Sequence, residues 1–162
     1  MRLSTLVIDG EEKAAVITNN GAISIETINQ QFQQRFETRI FEIIQSNQLI
    51  HLTDWYDAKD SEELEQVCEV IPREQLRYAP LYKHPGKIWG IGLNYVEHAS
   101  DLSEKAPNSE PASFMKPDTT IIGYNDTIHV PLQSERTTAE AESESLLDRN
   151  AKIFLRKMLS RL

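Results

Sequence analysis

The chain has little sulfur, no long apolar run and a shortage of basic charge. A single cysteine, Cys68, in 162 residues excludes an internal disulfide and suits a reducing compartment, so a cytoplasmic protein is expected. Cys68 itself reads as a small buried apolar residue on a helix. The apolar runs reach only a few residues, so no segment is expected to span a membrane. The start, Met1 to Gly10, is too short in its apolar part for a signal peptide and reads as a strand ending in a turn. Seventeen Lys and Arg against 25 Asp and Glu give a net charge of −8, which argues against nucleic acid as a partner. Gly90 and Gly92 flank Ile91 without the third glycine and the helix of a dinucleotide fingerprint. Repeats and low-complexity tracts are absent.

What is there suits a globular protein: 40% apolar and 26% charged residues, with room for one domain or a small domain and part of another. Leu6, Ile8, Ala15 and Ile17 alternate with polar neighbours. With turns at Asp9-Gly10 and Asn19-Asn20-Gly21, they predict a small antiparallel sheet over residues 3–25. Ile28, Phe32, Phe36, Ile40 and Ile43 recur at helical spacing, predicting a helix from about Ile28 to Ser46 capped by Thr27. A shorter helix is expected over Ser61 to Cys68. Pro72, Pro80 and Pro85 then mark a linker. Beyond it lie short apolar segments at Ile88–Ile91, Ser113–Met115, Thr119–Ile122, Thr127–Val130 and Thr137–Glu142. Gly, Pro, Asn and Asp separate them, as in an all-β roll or barrel core. The predicted class is α+β, with an N-terminal α/β cap over 1–75, a linker over 76–86, the start of a β-rich domain over 87–142 and a distinct tail over 143–162.

Three groups could carry chemistry. Glu140 and Glu142 are two apart, so on a strand both carboxylates point to one face. Side by side they repel unless a cation sits between them, and Mg²⁺, Mn²⁺ or Ca²⁺ are the natural occupants. The same pattern also occurs on solvated strands. His98 has Asp101 three residues on, the same-face spacing of a helical turn. The carboxylate would orient the imidazole as a general base for water, or the two form a surface pair. Lys116, in Phe114-Met115-Lys116-Pro117, is either a cation for a substrate carboxylate or enolate, or a solvated lysine at a strand end. His51, His84 and His129 have no ligand-like spacing and read as structural or exposed.

The order Lys87-Ile88-Trp89-Gly90-Ile91-Gly92, Leu93-Asn94-Tyr95, His98, Asp101, Phe114-Met115-Lys116-Pro117, a Gly-Tyr-Asn-Asp turn and Glu140-Ala141-Glu142 resembles the fumarylacetoacetate hydrolase family. The resemblance covers residues 1–142. It implies a mixed β-roll catalytic domain after a small N-terminal domain, usually in a homodimer, and a divalent metal held by Glu140, Glu142 and a further downstream aspartate. Members hydrolyse carbon–carbon bonds of acylpyruvates, or isomerise or decarboxylate related 2-oxo dioic acids, chemistry at home in aromatic catabolism. His98 and Asp101 fall on the water-activating dyad, where glutamate is the commoner second residue and Asp101 is a shorter variant.

The tail differs in charge. Residues 143–162 carry five cations (Arg149, Lys152, Arg156, Lys157 and Arg161) against Glu144 and Asp148, net +3, while the other 142 residues carry −11. Back-translated with one base restored after the Glu142 codon, the tail permits an apolar strand, a glycine turn and an acidic helix start. It is therefore expected to be a frameshift product, leaving a truncated enzyme of little or no activity, or one that pairs with a full-length paralogue. The alternative is a basic amphipathic helix capped by Ser143, with Leu147, Phe154, Met158 and Leu162 as its stripe, in a non-catalytic interaction module.

Overall fold

Asp9 and Gly10 both adopt left-handed backbone, with φ of 53° and 80°. This is the two-residue turn that matches strand twist, and it sets the first hairpin. The computed structural model describes residues 1–81, 83–92, 112–135 and 137. Strands β1 (Leu3–Ile8), β2 (Glu11–Ile17), β3 (Gly21–Ser24) and β4 (Ile71–Pro72) form an antiparallel sheet in the order β1-β2-β3-β4. Ile8 pairs Glu11 and Leu3 pairs Val16 across the hairpin.

The sheet is covered on both faces. Leu6, Ile8, Ala15 and Ile17, the predicted alternating set, share one face with Ala22 and Leu76. The larger core lies on the other face, where Ala14, Val16 and Ile23 meet Ile25, Ile28, Ile40, Ile43, Leu52 and Leu64 from the helices. Four helices supply this layer: α1 (Ile25–Phe32), α2 (Ile40–Gln45), α3 (Leu49–Asp57) and α4 (Ser61–Val67).

The single helix expected from Ile28 to Ser46 is two helices. Ser24, not Thr27, is the N-cap: its hydroxyl accepts from the Thr27 N–H at 2.9 Å. Gln33 ends α1 in the left-handed region, φ 54°. Asn29 then holds the returning loop through both backbone groups of one residue, donating from Nδ2 to the Phe36 carbonyl (2.7 Å) and accepting at Oδ1 from the Phe36 N–H (3.0 Å). Phe32 and Phe36 both reach Trp55 of α3, with ring centroids 5.3 and 6.0 Å away. The helical spacing on either side of the break therefore reports two short helices turned onto one core. Helix α4 starts as expected, with Asp60 accepting from the Glu62 N–H at 2.8 Å, and Cys68 ends it, 6% exposed.

Residues 77–81 lie along the free edge of β1 rather than crossing open space. The Val7 N–H donates to the Arg77 carbonyl (2.8 Å), the Ala79 N–H to Thr5 (3.0 Å) and the Thr5 hydroxyl to the Leu81 carbonyl (2.6 Å). An edge that would otherwise expose unpaired backbone groups is thus occupied.

A second sheet pairs β5 (Ile88–Gly92) with β6 (Ala112–Lys116), close to the predicted segments. Thr119–Ile122 is not a strand. Pro117 leads into a 3₁₀ turn over Asp118–Thr120, closed by the Thr120 N–H on the Pro117 carbonyl (3.0 Å). Thr127–Val130 has no strand pairing among the described residues, and of Thr137–Glu142 only Thr137 is described. The chain divides into two units, Met1–Asp126 and Thr127–Leu162. The architecture is α+β. Among the described residues no helix is long and apolar enough to cross a membrane.

Candidate active site

Register in the β5–β6 pair decides which side chains share a face. Ile88 opposes Lys116, Gly90 opposes Phe114 and Gly92 opposes Ala112, so these six lie on one face. Trp89 opposes Met115 and Ile91 opposes Ser113 on the other. Lys116 thus ends β6 on the face that carries the two glycines. Its ammonium lies 5.6 Å from the centroid of the Phe114 ring.

The segment after Lys116 is tied back to the residues before β5. His84 Nδ1 lies 3.3 Å from Asp118 Oδ2, with the imidazole largely exposed. Tyr124, in the predicted Gly-Tyr-Asn-Asp turn, packs edge-on against Tyr78 with ring centroids 5.9 Å apart. Asn125 takes φ 64° there, and Asp126 accepts from the Gly123 N–H at 2.7 Å. The His84–Asp118 pair was not legible in sequence because 34 residues separate its members. The Gly90–Phe114 contact was missed for the same reason: only the cross-strand register brings the two together.

A separate cleft of about 570 Å³ opens between the β1–β2 turn, the start of α2 and Leu81, Lys83 and His84. Its rim carries both signs, Glu11, Glu12 and Glu42 with Arg39 and Lys83, beside the His84 imidazole. Lys83 spans to Glu12 at 2.5 Å, so part of this charge is internally matched. Lys116 does not line it.

Of the sequence-predicted site residues, Lys116 stands on β6. His98, Asp101, Glu140 and Glu142 lie outside the described residues. Among the described residues no group of three or more His, Cys, Asp and Glu could hold a metal.

Residues 87–151 match the family model described as "Fumarylacetoacetate (FAA) hydrolase C-terminal". Residues 87–151 are a segment of the fumarylacetoacetate hydrolase type. A protein of Dictyostelium discoideum named "Fumarylacetoacetate hydrolase domain-containing protein 2 homolog" is 41% identical over 83 residues, 51% of this chain and 26% of that one. An uncharacterized protein of Archaeoglobus fulgidus is 47% identical over 72 residues, covering 44% of this chain and 28% of the other. One from Pyrococcus abyssi is 37% identical over 68 residues, 42% and 30% respectively. The chain spans under a third of the length of these curated relatives. No solved structure matches it. The matched family segment begins one residue before β5, takes in both strands of the second sheet, and runs past Glu142 into the basic tail.

Proposed function

We propose that residues 87–142 carry the substrate-binding and metal-binding groups of an enzyme acting on 2-oxo acids. The reaction is hydrolysis of a carbon–carbon bond in an acylpyruvate, or isomerisation or decarboxylation of a related dioic acid. The observation that supports this most is the extent of the family match: residues 87–151 contain His98, Asp101, Lys116, Glu140 and Glu142 together.

The donor set suits a hard cation. Glu140 and Glu142 offer carboxylate oxygen only, which fits Mg²⁺, Mn²⁺ or Ca²⁺ and not a soft metal. Such an ion, when bound, supplies polarisation of the 2-oxo group and tolerance of enolate charge. The remaining work falls to the chain. His98 takes a proton from water, and Asp101 accepts from the other imidazole nitrogen and holds the ring in the tautomer that can do so. The resulting hydroxide adds to the acyl carbonyl, and the carbon–carbon bond breaks to leave a carboxylate and the enolate of pyruvate, which is reprotonated at carbon. Lys116, at the end of β6, pairs with the substrate carboxylate. In this reading the cap, linker, roll and tail retain the boundaries at 75, 86 and 142, and the partner is a second copy or a full-length paralogue.

The test is metal-linked stabilisation of the purified chain. Mg²⁺ or Mn²⁺ should raise its Tm, and Glu140→Gln should abolish that rise. Absence of any divalent-cation effect on the wild-type chain, or an undiminished effect in Glu140→Gln, refutes the metal assignment. Coupled assay of pyruvate release from acylpyruvates then tests the reaction, with His98→Ala as the inactive control.

A further inference from the structure

Among the described residues Lys116 is held by a ring and not by an acid. Its Nζ lies 5.6 Å from the Phe114 centroid, and among the described residues no carboxylate is within ion-pair distance of it. The nearest acid in sequence, Asp118, is engaged by His84 at 3.3 Å. Phe114 in turn depends on what opposes it. A Cβ on Gly90 would come within 2.3 to 2.7 Å of three atoms of the Phe114 ring, so the ring occupies the space a side chain at 90 would fill. At Gly92 a Cβ would sit 3.8 Å from the same ring, an ordinary contact.

We propose that Phe114 is a positioning residue for Lys116: its ring, seated over the bare Gly90, carries the ammonium and fixes where it meets a substrate carboxylate. This rests on the substrate-pairing role given to Lys116 above. The chemistry favours a ring for the purpose. An aromatic face attracts a cation through its quadrupole without accepting a directed hydrogen bond. The three N–H donors of the ammonium therefore stay available for ligand oxygens, and its charge is not neutralised. A carboxylate in the same place would consume both. Gly90 is then required for a reason distinct from backbone freedom, because it makes room for the shelf.

The ε-methylene resonances of Lys116 in the full chain report the stack directly, since protons over a ring face are shifted upfield. Lys116→Gln assigns the signal by removing it. Phe114→Leu and Gly90→Ala should return the signal to the position of the exposed lysines. Phe114→Tyr and Gly92→Ala should leave it upfield, and their folded spectra guard against reading unfolding as loss of the stack. A wild-type signal already at the exposed-lysine position overturns the proposal, as does one unmoved by Phe114→Leu. The readout needs no turnover. An upfield signal in a chain whose Tm does not respond to Mg²⁺ or Mn²⁺ keeps the stack and sinks the metal-dependent enzymatic reading. With turnover, Phe114→Leu should raise KM several-fold with a smaller change in kcat, and Phe114→Tyr should restore KM; an unchanged KM in Phe114→Leu sinks the positioning role alone.

Discussion

The Glu65 carboxylate clasps Asn20, accepting from its backbone N–H at 3.2 Å and from its side-chain amide at 2.5 Å. This fastens α4 to the β2–β3 turn, 45 residues earlier in the chain.

The clasp predicts an acid-sensitive cap. The Thr18 hydroxyl is the largest influence holding the Glu65 carboxyl below its usual range, with the Asn20 and Asn19 donors adding to it and desolvation opposing. That hydroxyl is buried without a partner of strict hydrogen-bond geometry, so we assign the clasp chiefly to the two bonds from Asn20. A carboxyl with a folded pKa lower than its unfolded one stabilises the fold above the unfolded value. The contribution is lost as pH falls through the ordinary carboxylate range toward the folded value. Thermal unfolding followed from neutral to acidic pH should show Tm falling, and Glu65→Gln should have a lower neutral Tm and a shallower acid limb. Parallel pH profiles for the two proteins would show the clasp to be without effect on stability.

The break between α1 and α2 yields a second prediction. Asn29 makes two hydrogen bonds to the backbone of Phe36, and Gln48 Oε1 accepts a third loop bond from the Glu37 N–H at 2.7 Å. Replacing Asn29 by Ala leaves a partly buried N–H and carbonyl without partners, at a cost of about 1–3 kcal/mol. Leu52→Ala and Leu64→Ala, both fully buried in the same core, should cost about 2–5 kcal/mol each. Urea unfolding monitored by fluorescence of Trp55 measures all three. A neutral Asn29→Ala would mean that aromatic packing on Trp55 and the Gln48 bond to Glu37 suffice to set the turn.

How much of this was legible depends on the range of the interaction. Asp9-Gly10 announced a hairpin, and Leu6, Ile8, Ala15 and Ile17 announced a strand pair, because turn chemistry and period-2 alternation are local. The pattern named one buried face of that pair. The second, formed by Ala14, Val16 and Ile23, was hidden because small or polar neighbours made those positions look like the solvent side. The helix break was invisible because the Asn29–Phe36 bond is a side-chain contact over seven residues, while the spacing of apolar residues continued through it. Residues 77–81 read as linker from Pro80 and the flanking Pro72 and Pro85, since pairing to β1 is settled by backbone groups that leave no side-chain signature. In the candidate site, Lys116 was readable as a strand-end cation before Pro117, whereas its Phe114 and Gly90 support needed the β5–β6 register.

Cys68 offers a probe of the cap. It is buried at the end of α4, and burial pushes its thiol up from the usual range. The thiolate is the reactive form, so native protein should react slowly with a disulfide reagent at neutral pH, and fully once unfolded in urea. Rapid stoichiometric reaction without denaturant would show that α4 opens readily.

Trp89, Ile91 and Met115 share the face of the second sheet opposite Phe114, and they are 64%, 50% and 62% exposed. An apolar face on a two-stranded sheet is a recognised route to association. The net charge of −8 opposes it by self-repulsion, which salt screens. The chain should therefore associate more readily as ionic strength rises, the reverse of association held by ion pairs. Trp89→Lys or Met115→Glu should suppress the effect, whereas a charge at Ser113, on the same face but beside Ile91 at the far end, should do less. Light scattering against salt concentration measures this, and the emission maximum of Trp89 should shift to the blue as contacts form. Trp55, half-buried against Phe32 and Phe36, serves as the internal reference. A monomer at every ionic strength, or association that salt reverses, would show that this face does not drive assembly.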